Sequence, residues 1–156
     1  MITRPSTEQI ILDCRRELLE VIGPEVTSEA GKVSVQMLEN VLRNAATRAA
    51  HEVVWMRDET AAMESFARDT LTAHPTAQGS PHITTALDAL AKGPASLHLN
   101  DVATTYSLAG ESLSCAIEVA LAEADSELSA RGATLLAARS ATEVQIMGEW
   151  GFVGRG

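Results

Sequence analysis

The chain has 156 residues, of which 46% are apolar, enough for one domain whose core needs neither disulfides nor metals. Only 3% of the residues are aromatic, so alanine and leucine carry the hydrophobicity, which favours helices over strands. The net charge of −9 disfavours nucleic acid and anionic membranes as partners, because both would repel the average surface.

Cysteine usage and the N-terminal residues bear on the compartment. Cys14 and Cys115 have no CxxC partner and lie far apart in sequence, which indicates two buried thiols in a reducing environment. The start MITRPSTEQ lacks a basic region followed by an apolar core, and no apolar run approaches the ~20 residues of a transmembrane helix. We therefore expect a cytoplasmic protein.

The first predicted helix begins at Ser6, because Ser6 and Gln9 have the spacing of a capping box. Apolar residues recur at helical spacing until Gly23 and Pro24, where this helix is predicted to end.

The segment Val33 to Ala73 contains neither proline nor glycine and is predicted to be one long helix, which His74 and Pro75 end. A helical wheel places a stripe of apolar residues on one side of it. The stripe consists of Leu38, Leu42, Ala49, Val53, Met56, Met63, Ala67 and Leu71. His74 and His82 flank prolines in the following loop and are expected to be exposed.

A brief helix is predicted from His82 to Lys92, followed by a second long helix from Asp101. Gly132 allows a break in this helix, but the apolar stripe continues past it, which favours one continuous or slightly kinked helix. The predicted fold is an all-α bundle of four to five helices with two long antiparallel helices (about 33–73 and 101–147). It forms a single domain, 1–156, with a glycine-rich tail at 148–156.

The chain contains no phosphate-binding loop, nucleophile elbow, HExxH, CxxC pair or Glu-x-x-His motif of di-iron bundles. We therefore predict no cofactor and no metal site. A histidine-rich metal site would have to be assembled from loops, since His51 alone among the four histidines lies within a long helix.

The densest polar cluster lies in the middle of the first long helix. Arg48 and Glu52 are spaced i,i+4 and can pair, as are His51 and Trp55. In a functional interpretation Glu52 or Glu59 moves a proton, His51 is a second acid or base, and Arg48 and Trp55 contact a ligand. The favoured alternative is a salt-bridged helix flank in which each carboxylate has an interhelical partner.

Apolar residues also lie opposite the core stripes, namely Val54 on the first long helix and Leu108, Cys115 and Val119 on the second. Burial on both sides of a helix is most simply explained by a second copy of the chain. The competing explanation is that the first and the short helices cover these residues. Trp150 and Phe152 in the tail are predicted to dock on a neighbouring subunit. We expect a homo-oligomer, with a dimer favoured.

The segments RPSTEQIILDCRRELLEVIGPEV and QMLENVLRNAATRAAHEVVWMRDE resemble small uncharacterised helical proteins of bacteria. Genes of that family tend to accompany acyl-CoA dehydrogenases and aminoglycoside-phosphotransferase-like kinases. The segment AARSATEVQIMGEWGFV looks like the last helix of an acyl-CoA dehydrogenase, but this chain lacks the β-domain that holds flavin, and Glu149 and Trp150 interrupt the expected glycine pair. The two resemblances imply an accessory role near acyl-CoA or related catabolic metabolism.

The predicted function is that of a non-catalytic oligomerisation or binding protein, with a further copy or another protein as its partner. The alternative is a small acid–base enzyme, or a hydrophobic-ligand-binding protein whose site lies between the long helices around Arg48, His51, Glu52 and Glu59.

Overall fold

The computed structural model describes residues 4–147, and all the regular structure in that range is helical. The helices are α1 (Thr7–Glu17), a π-helical turn (Leu18–Ile22), α2 (Gly23–Glu25), α3 (Glu29–Ala73), α4 (Ser80–Ala91), α5 (Leu99–Ala122) and α6 (Ser126–Met147). The all-α prediction is confirmed. The predicted tail, 148–156, with Trp150 and Phe152, lies outside the described residues.

The chain divides into two compact units according to its internal contacts. The first, Met1–Glu52 with Glu143–Gly156, is called the hairpin unit below, and the second, Val53–Thr142, is called the bundle unit. The prediction that residues 1–156 form a single domain stays a prediction.

The hairpin unit begins with the predicted capping box. The Ser6 hydroxyl accepts a hydrogen bond from the Gln9 amide, and the Gln9 side chain accepts one from the Ser6 amide. The prediction that this helix ends at Gly23 and Pro24 is wrong. The Gly23 amide donates to the Leu18 carbonyl in a π-helical turn, and Pro24, which has no amide proton, lies in the first turn of α2.

The first half of α3 runs back along α1. Arg15 on α1 forms a salt bridge of 2.6 Å with Glu39 on α3. Nearer the turn, a Cβ atom built on Gly23 would lie 3.7 Å from the Val35 side chain. Helix α3 begins four residues before the predicted start, because the Ser28 hydroxyl accepts a hydrogen bond from the Gly31 amide and caps it.

In the bundle unit, α3 and α5 run in the same direction. Glu59 on α3 accepts a hydrogen bond from Tyr106 on α5. Further along the same two helices, Phe66 and Ile117 both lie against Gly132 of α6.

Helix α6 runs in the opposite direction to both. Arg131, near its start, forms a 2.6 Å salt bridge with Asp69 towards the end of α3. Arg139, two turns later, lies over the ring of Tyr106 in the first half of α5.

Helix α4 is antiparallel to α5. Gly79, directly before α4, lies against Val119 near the end of α5, and Gly93, two residues after α4, lies against Leu108. The second half of α3 and helices α4, α5 and α6 therefore form an up-down-up-down four-helix bundle.

The prediction of a second long helix over 101–147 is wrong, since α5 and α6 are separate helices. The chain leaves α5 through a Schellman motif in which the Asp125 amide donates to the Ala120 carbonyl and the Ala124 amide donates to that of Leu121. Ala124 takes the left-handed position of this motif, with φ of 53°. Of the two helices that replace the predicted one, only α6 is antiparallel to α3.

Asp125 begins α6 and also ties it to the end of α3. Its carboxylate accepts hydrogen bonds from the Glu127 and Leu128 amides at 3.1 and 3.0 Å, and it contacts His74 Nε2 at 2.9 Å. These hydrogen bonds hold the pKa of Asp125 below its ordinary value, the Leu128 amide having the largest effect. His74 is half-buried, so the prediction that it is exposed is wrong, whereas His82 is exposed as predicted.

Helix α6 continues through Gly132, so the helix does not break at this position. Gly132 is buried within α6, where a Cβ atom would lie 3.2 Å from Ile117 Cγ1 and 3.3 Å from Phe66 Cζ. The missing side chain allows α6 to approach α3 and α5 closely. Gly110, which shares the apolar side of α5, has no described atom within 4 Å of such a Cβ position.

Almost all of the buried core of the described residues belongs to the bundle unit. Its central cluster consists of Met63, Phe66, Ala67, Ile83, Leu87, Leu90, Ala109, Leu113, Ala116, Val119, Ala120 and Leu128. The predicted stripe of α3 is buried only where it enters this cluster. Met63 and Ala67 are buried, but Leu38, in the hairpin unit, is 52% exposed.

The prediction that Leu108, Cys115 and Val119 lie outside the intrachain core is wrong. Val119 is only 3% exposed and belongs to the core, and Leu108 and Cys115 are half-buried against it. The physical reason is α4, which packs along this side of α5. Of the proposed interface residues that the structure describes, Val54 alone is largely exposed, at 56%.

Gly110 of α5 and Gly132 of α6 give a matched test of the close approach. Alanine at Gly110 should raise the free energy of unfolding by about 0.5–1 kcal/mol, because alanine is the better helix former and meets no neighbour there. Alanine at Gly132 has the same gain in helix propensity but overpacks against Phe66 and Ile117. The free energy of unfolding of Gly132→Ala should therefore lie about 1–3 kcal/mol below that of Gly110→Ala. Urea unfolding of both variants measures the difference, and equal effects would show that the packing at Gly132 is loose.

The lowered pKa of Asp125 makes a pH-dependent contribution to stability. Because the folded state prefers the carboxylate, this contribution is present above the ordinary pKa of 3.8 and is lost as the pH falls through the lower folded value. Asp125→Asn keeps a cap but not the charge, so it should be less stable than the wild type at pH 7. The difference between the two free energies of unfolding should begin to shrink as the pH falls below ~4 and should vanish once the pH is below the folded-state pKa. A constant difference would contradict the assignment.

Candidate functional site

The predicted polar cluster on α3 is divided between the two units. Arg48, His51 and Glu52 belong to the hairpin unit, and Trp55 and Glu59 belong to the bundle unit. Arg48 donates two hydrogen bonds to one oxygen of Glu52, so the flank is salt-bridged, but this partner of Glu52 lies on α3 itself and is not the interhelical partner that the interpretation required. His51 is exposed and Trp55 is half-buried.

Glu59 has the interhelical partner that the alternative interpretation required. One of its carboxylate oxygens accepts a 2.6 Å hydrogen bond from the hydroxyl of Tyr106 on α5. The guanidinium group of Arg139 on α6 lies over the Tyr106 ring, 5.2 Å from its centroid, in a cation–π contact. Three helices of the bundle unit therefore bring an acid, a phenol and a guanidinium together.

A groove in the bundle unit opens beside these three residues, with a cavity volume of about 220 Å³. It is lined by Asp58, Glu59, Ala62, Met63, Leu113, Leu135, Ala138 and Arg139. Met63 and Leu113 are each 3% exposed and form an apolar floor. The charged groups, Asp58, Glu59 and Arg139, come from positions on α3 and α6 that face each other in the antiparallel pair.

The sequence identified Glu59 but not Tyr106 and Arg139 as its companions. Tyr106 is at helical spacing from Val102, Ala109 and Leu113, so it shares their apolar face, where its hydroxyl needs a polar partner. Arg139 follows Leu135 by one helical turn, so a cation on an otherwise apolar face was the available signal. Neither signal reveals that the two side chains stack beside Glu59.

The cysteines differ from the prediction that both are buried. Cys14 is exposed, and Cys115 is half-buried. Burial raises the pKa of the Cys115 thiol, and the nearby carboxylates of Glu118 and Glu111 raise it further. Cys115 is therefore predominantly a neutral thiol at neutral pH, which makes it a poor nucleophile.

A second candidate surface lies on the hairpin unit. Nine large aliphatic side chains of residues 4–52 are at least 40% exposed, whereas two hydrophobic residues of this range, Leu18 and Ala46, are buried. The nine are Ile10, Leu12, Leu19, Val21, Ile22, Val33, Met37, Leu38 and Val41.

Three of these side chains form a continuous stripe on α3. Val33, Met37 and Val41 are spaced i, i+4 and i+8 and are 57%, 53% and 46% exposed. On a helical wheel of about 100° per residue they lie opposite Val35, which faces Gly23 of α2, and Glu39, which faces α1. We call Val33, Met37 and Val41 the outer stripe.

Within the described part of the chain, no three His, Cys, Asp or Glu side chains are grouped so that they could hold a metal ion. None of the helices in that range combines the length and the apolar character needed to cross a membrane. Comparisons with protein families, with curated proteins and with solved structures give no match.

The hydrogen bond between Tyr106 and Glu59 should couple α3 to α5 energetically. In a double-mutant cycle, Tyr106→Phe and Glu59→Gln should show a coupling of about 1 kcal/mol, below the 1.5–3 kcal/mol typical of hydrogen bonds to charged groups, because the groove admits water. Urea unfolding of the four proteins measures it. The control cycle pairs Tyr106→Phe with Glu64→Gln, whose carboxylate is bound by Arg68 instead, and should give no coupling.

Proposed function

We propose that the protein is a non-catalytic self-association and binding protein, and that two copies pair through the outer stripe of α3. The observation that carries this proposal is the apolar exposure of the hairpin unit, where nine large aliphatic side chains are open to solvent beside two buried hydrophobic residues. A two-helix hairpin with so small a core gains stability when a second hairpin covers it.

The energies allow association. Each residue of the outer stripe is about half exposed, so covering it contributes roughly 1 kcal/mol, about half of the 1.5–3 kcal/mol for full burial. In a two-fold dimer the same residues are covered on both copies. The gain from three residues on each copy is then roughly 6 kcal/mol, within the range of the estimated cost of association, about 4–15 kcal/mol.

The distribution of charged residues also favours the hairpin unit as the place where two copies meet. Residues 1–52 and 143–156 together carry seven basic and ten acidic side chains, whereas residues 53–142 carry five and eleven. Two hairpin units therefore repel each other much less than two bundle units would. Charges on α1 and at the start of α3 already form pairs, Arg16 with Asp13 at 2.5 Å and Lys32 with Glu29 at 2.8 Å.

The alternative of a small acid–base enzyme gains less support. Arg48 engages Glu52 and Tyr106 engages Glu59, so both candidate carboxylates already accept hydrogen bonds. A protein partner of a different kind, a cytoplasmic location and a role near acyl-CoA metabolism stay predictions.

Two valines of equal exposure on α3 give a matched test. Val33, in the outer stripe, is 57% exposed, and Val54, in the bundle unit, is 56% exposed. Val33→Glu should raise the dimer dissociation constant at least about 100-fold, because a two-fold interface contains the substitution twice and each carboxylate would be buried. Val54→Glu should leave it unchanged.

Light scattering and sedimentation velocity at micromolar concentration give the mass of each variant, and circular dichroism checks that both stay helical. A monomeric wild type would refute the proposal. Dissociation by Val54→Glu with an intact Val33→Glu dimer would place the interface on the other part of α3.

A further inference from the structure

We propose that the groove of the bundle unit binds a small aliphatic primary amine. Its ammonium group would lie against the carboxylates of Asp58 and Glu59, and its alkyl chain would lie on Met63, Leu113 and Leu135. This site is separate from the outer stripe and does not depend on self-association.

The groove has an apolar part and a charged part, as the binding of an amphiphilic ligand requires. Its floor is apolar and already packed, because Met63 and Leu113 belong to the core cluster of the bundle. All three charged residues of its lining, Asp58, Glu59 and Arg139, come from positions that the antiparallel α3 and α6 bring to the same end. Pockets for small molecules commonly combine an apolar lining with a few placed polar groups.

The volume limits the ligand to a short chain. A cavity of about 220 Å³ is smaller than the roughly 300–1,000 Å³ of pockets for drug-sized ligands, so it holds a short alkyl chain of the butylamine to hexylamine class. Longer chains would extend into solvent.

The charges of the lining select the head group. Two carboxylates, Asp58 and Glu59, face one guanidinium, Arg139, so the local net charge is negative. The guanidinium is stacked on Tyr106, whereas Asp58 is exposed at the rim, where an ammonium group can reach it. The excess of acidic side chains in residues 53–142 adds a long-range attraction for cations. An aliphatic carboxylate of the same length would be repelled by Asp58 and Glu59, which outnumber the single guanidinium.

The test is a titration of the full-length protein with n-alkylamines from propylamine to octylamine, followed by methyl NMR of Met63, Leu113 and Leu135. Affinity should rise about fourfold for each added methylene, the factor that corresponds to about 0.8 kcal/mol per buried CH₂, and should level off once the groove is filled. Fatty acids of matched length should shift none of these methyl signals at the same concentrations.

Three variants locate the head group and the chain. Asp58→Asn should weaken hexylamine binding at least fivefold, whereas Asp88→Asn, which removes the same charge from the exposed face of α4, should leave it within twofold. Ala138→Leu should abolish binding by filling the groove, and because Ala138 is exposed the variant should stay folded.

Three results would overturn the proposal. They are equal binding of amines and carboxylates, an affinity independent of chain length, and an Asp58→Asn variant that binds like Asp88→Asn. Persistence of amine binding in Val33→Glu is expected, because the groove and the outer stripe belong to different units.

Discussion

The close approach of α3, α5 and α6 at Gly132 is the constraint on which the bundle unit depends. A Cβ atom there would lie within 3.3 Å of both Phe66 and Ile117, so a side chain at this position would force one of them to shift by a few tenths of an ångström. Phe66 is 1% exposed and is among the largest fully buried side chains of the described residues. The approach of the same helices also brings Tyr106 and Arg139 beside Glu59.

The turn at Ala124 allows α6 to approach α3 and α5. Because α5 and α6 are separate helices, α6 can run back along both α3 and α5, which one continuous helix could not do. Asp125 caps α6 and also contacts His74, directly after the end of α3. These hydrogen bonds lower the pKa of the Asp125 carboxyl group.

The two units differ in how their apolar residues are used. In the bundle unit, four helix segments surround one cluster, and α4 buries the side of α5 that a wheel alone leaves outside. In the hairpin unit, Leu18 and Ala46 are buried while the outer stripe is open. The bundle unit therefore offers a groove for a small ligand, and the hairpin unit offers an apolar surface for a second hairpin. The bundle unit also carries the larger excess of acidic side chains, which agrees with this division.

The sequence by itself determined the helical class, the capping box at Ser6 and the long α3, because these follow from local periodicity and hydrogen bonding within a few residues. It also identified the pair of Arg48 and Glu52, since i,i+4 spacing on one helix needs no tertiary information. The break at Glu123 to Asp125 escaped it, because Ala124 takes a left-handed position that glycine or asparagine usually marks. Only the tertiary structure decided that Val119 lies in the core, that Gly132 is a contact point and that Tyr106 and Arg139 join Glu59. These outcomes depend on which helices become neighbours, and a helical wheel contains only the angles of residues around their own axis.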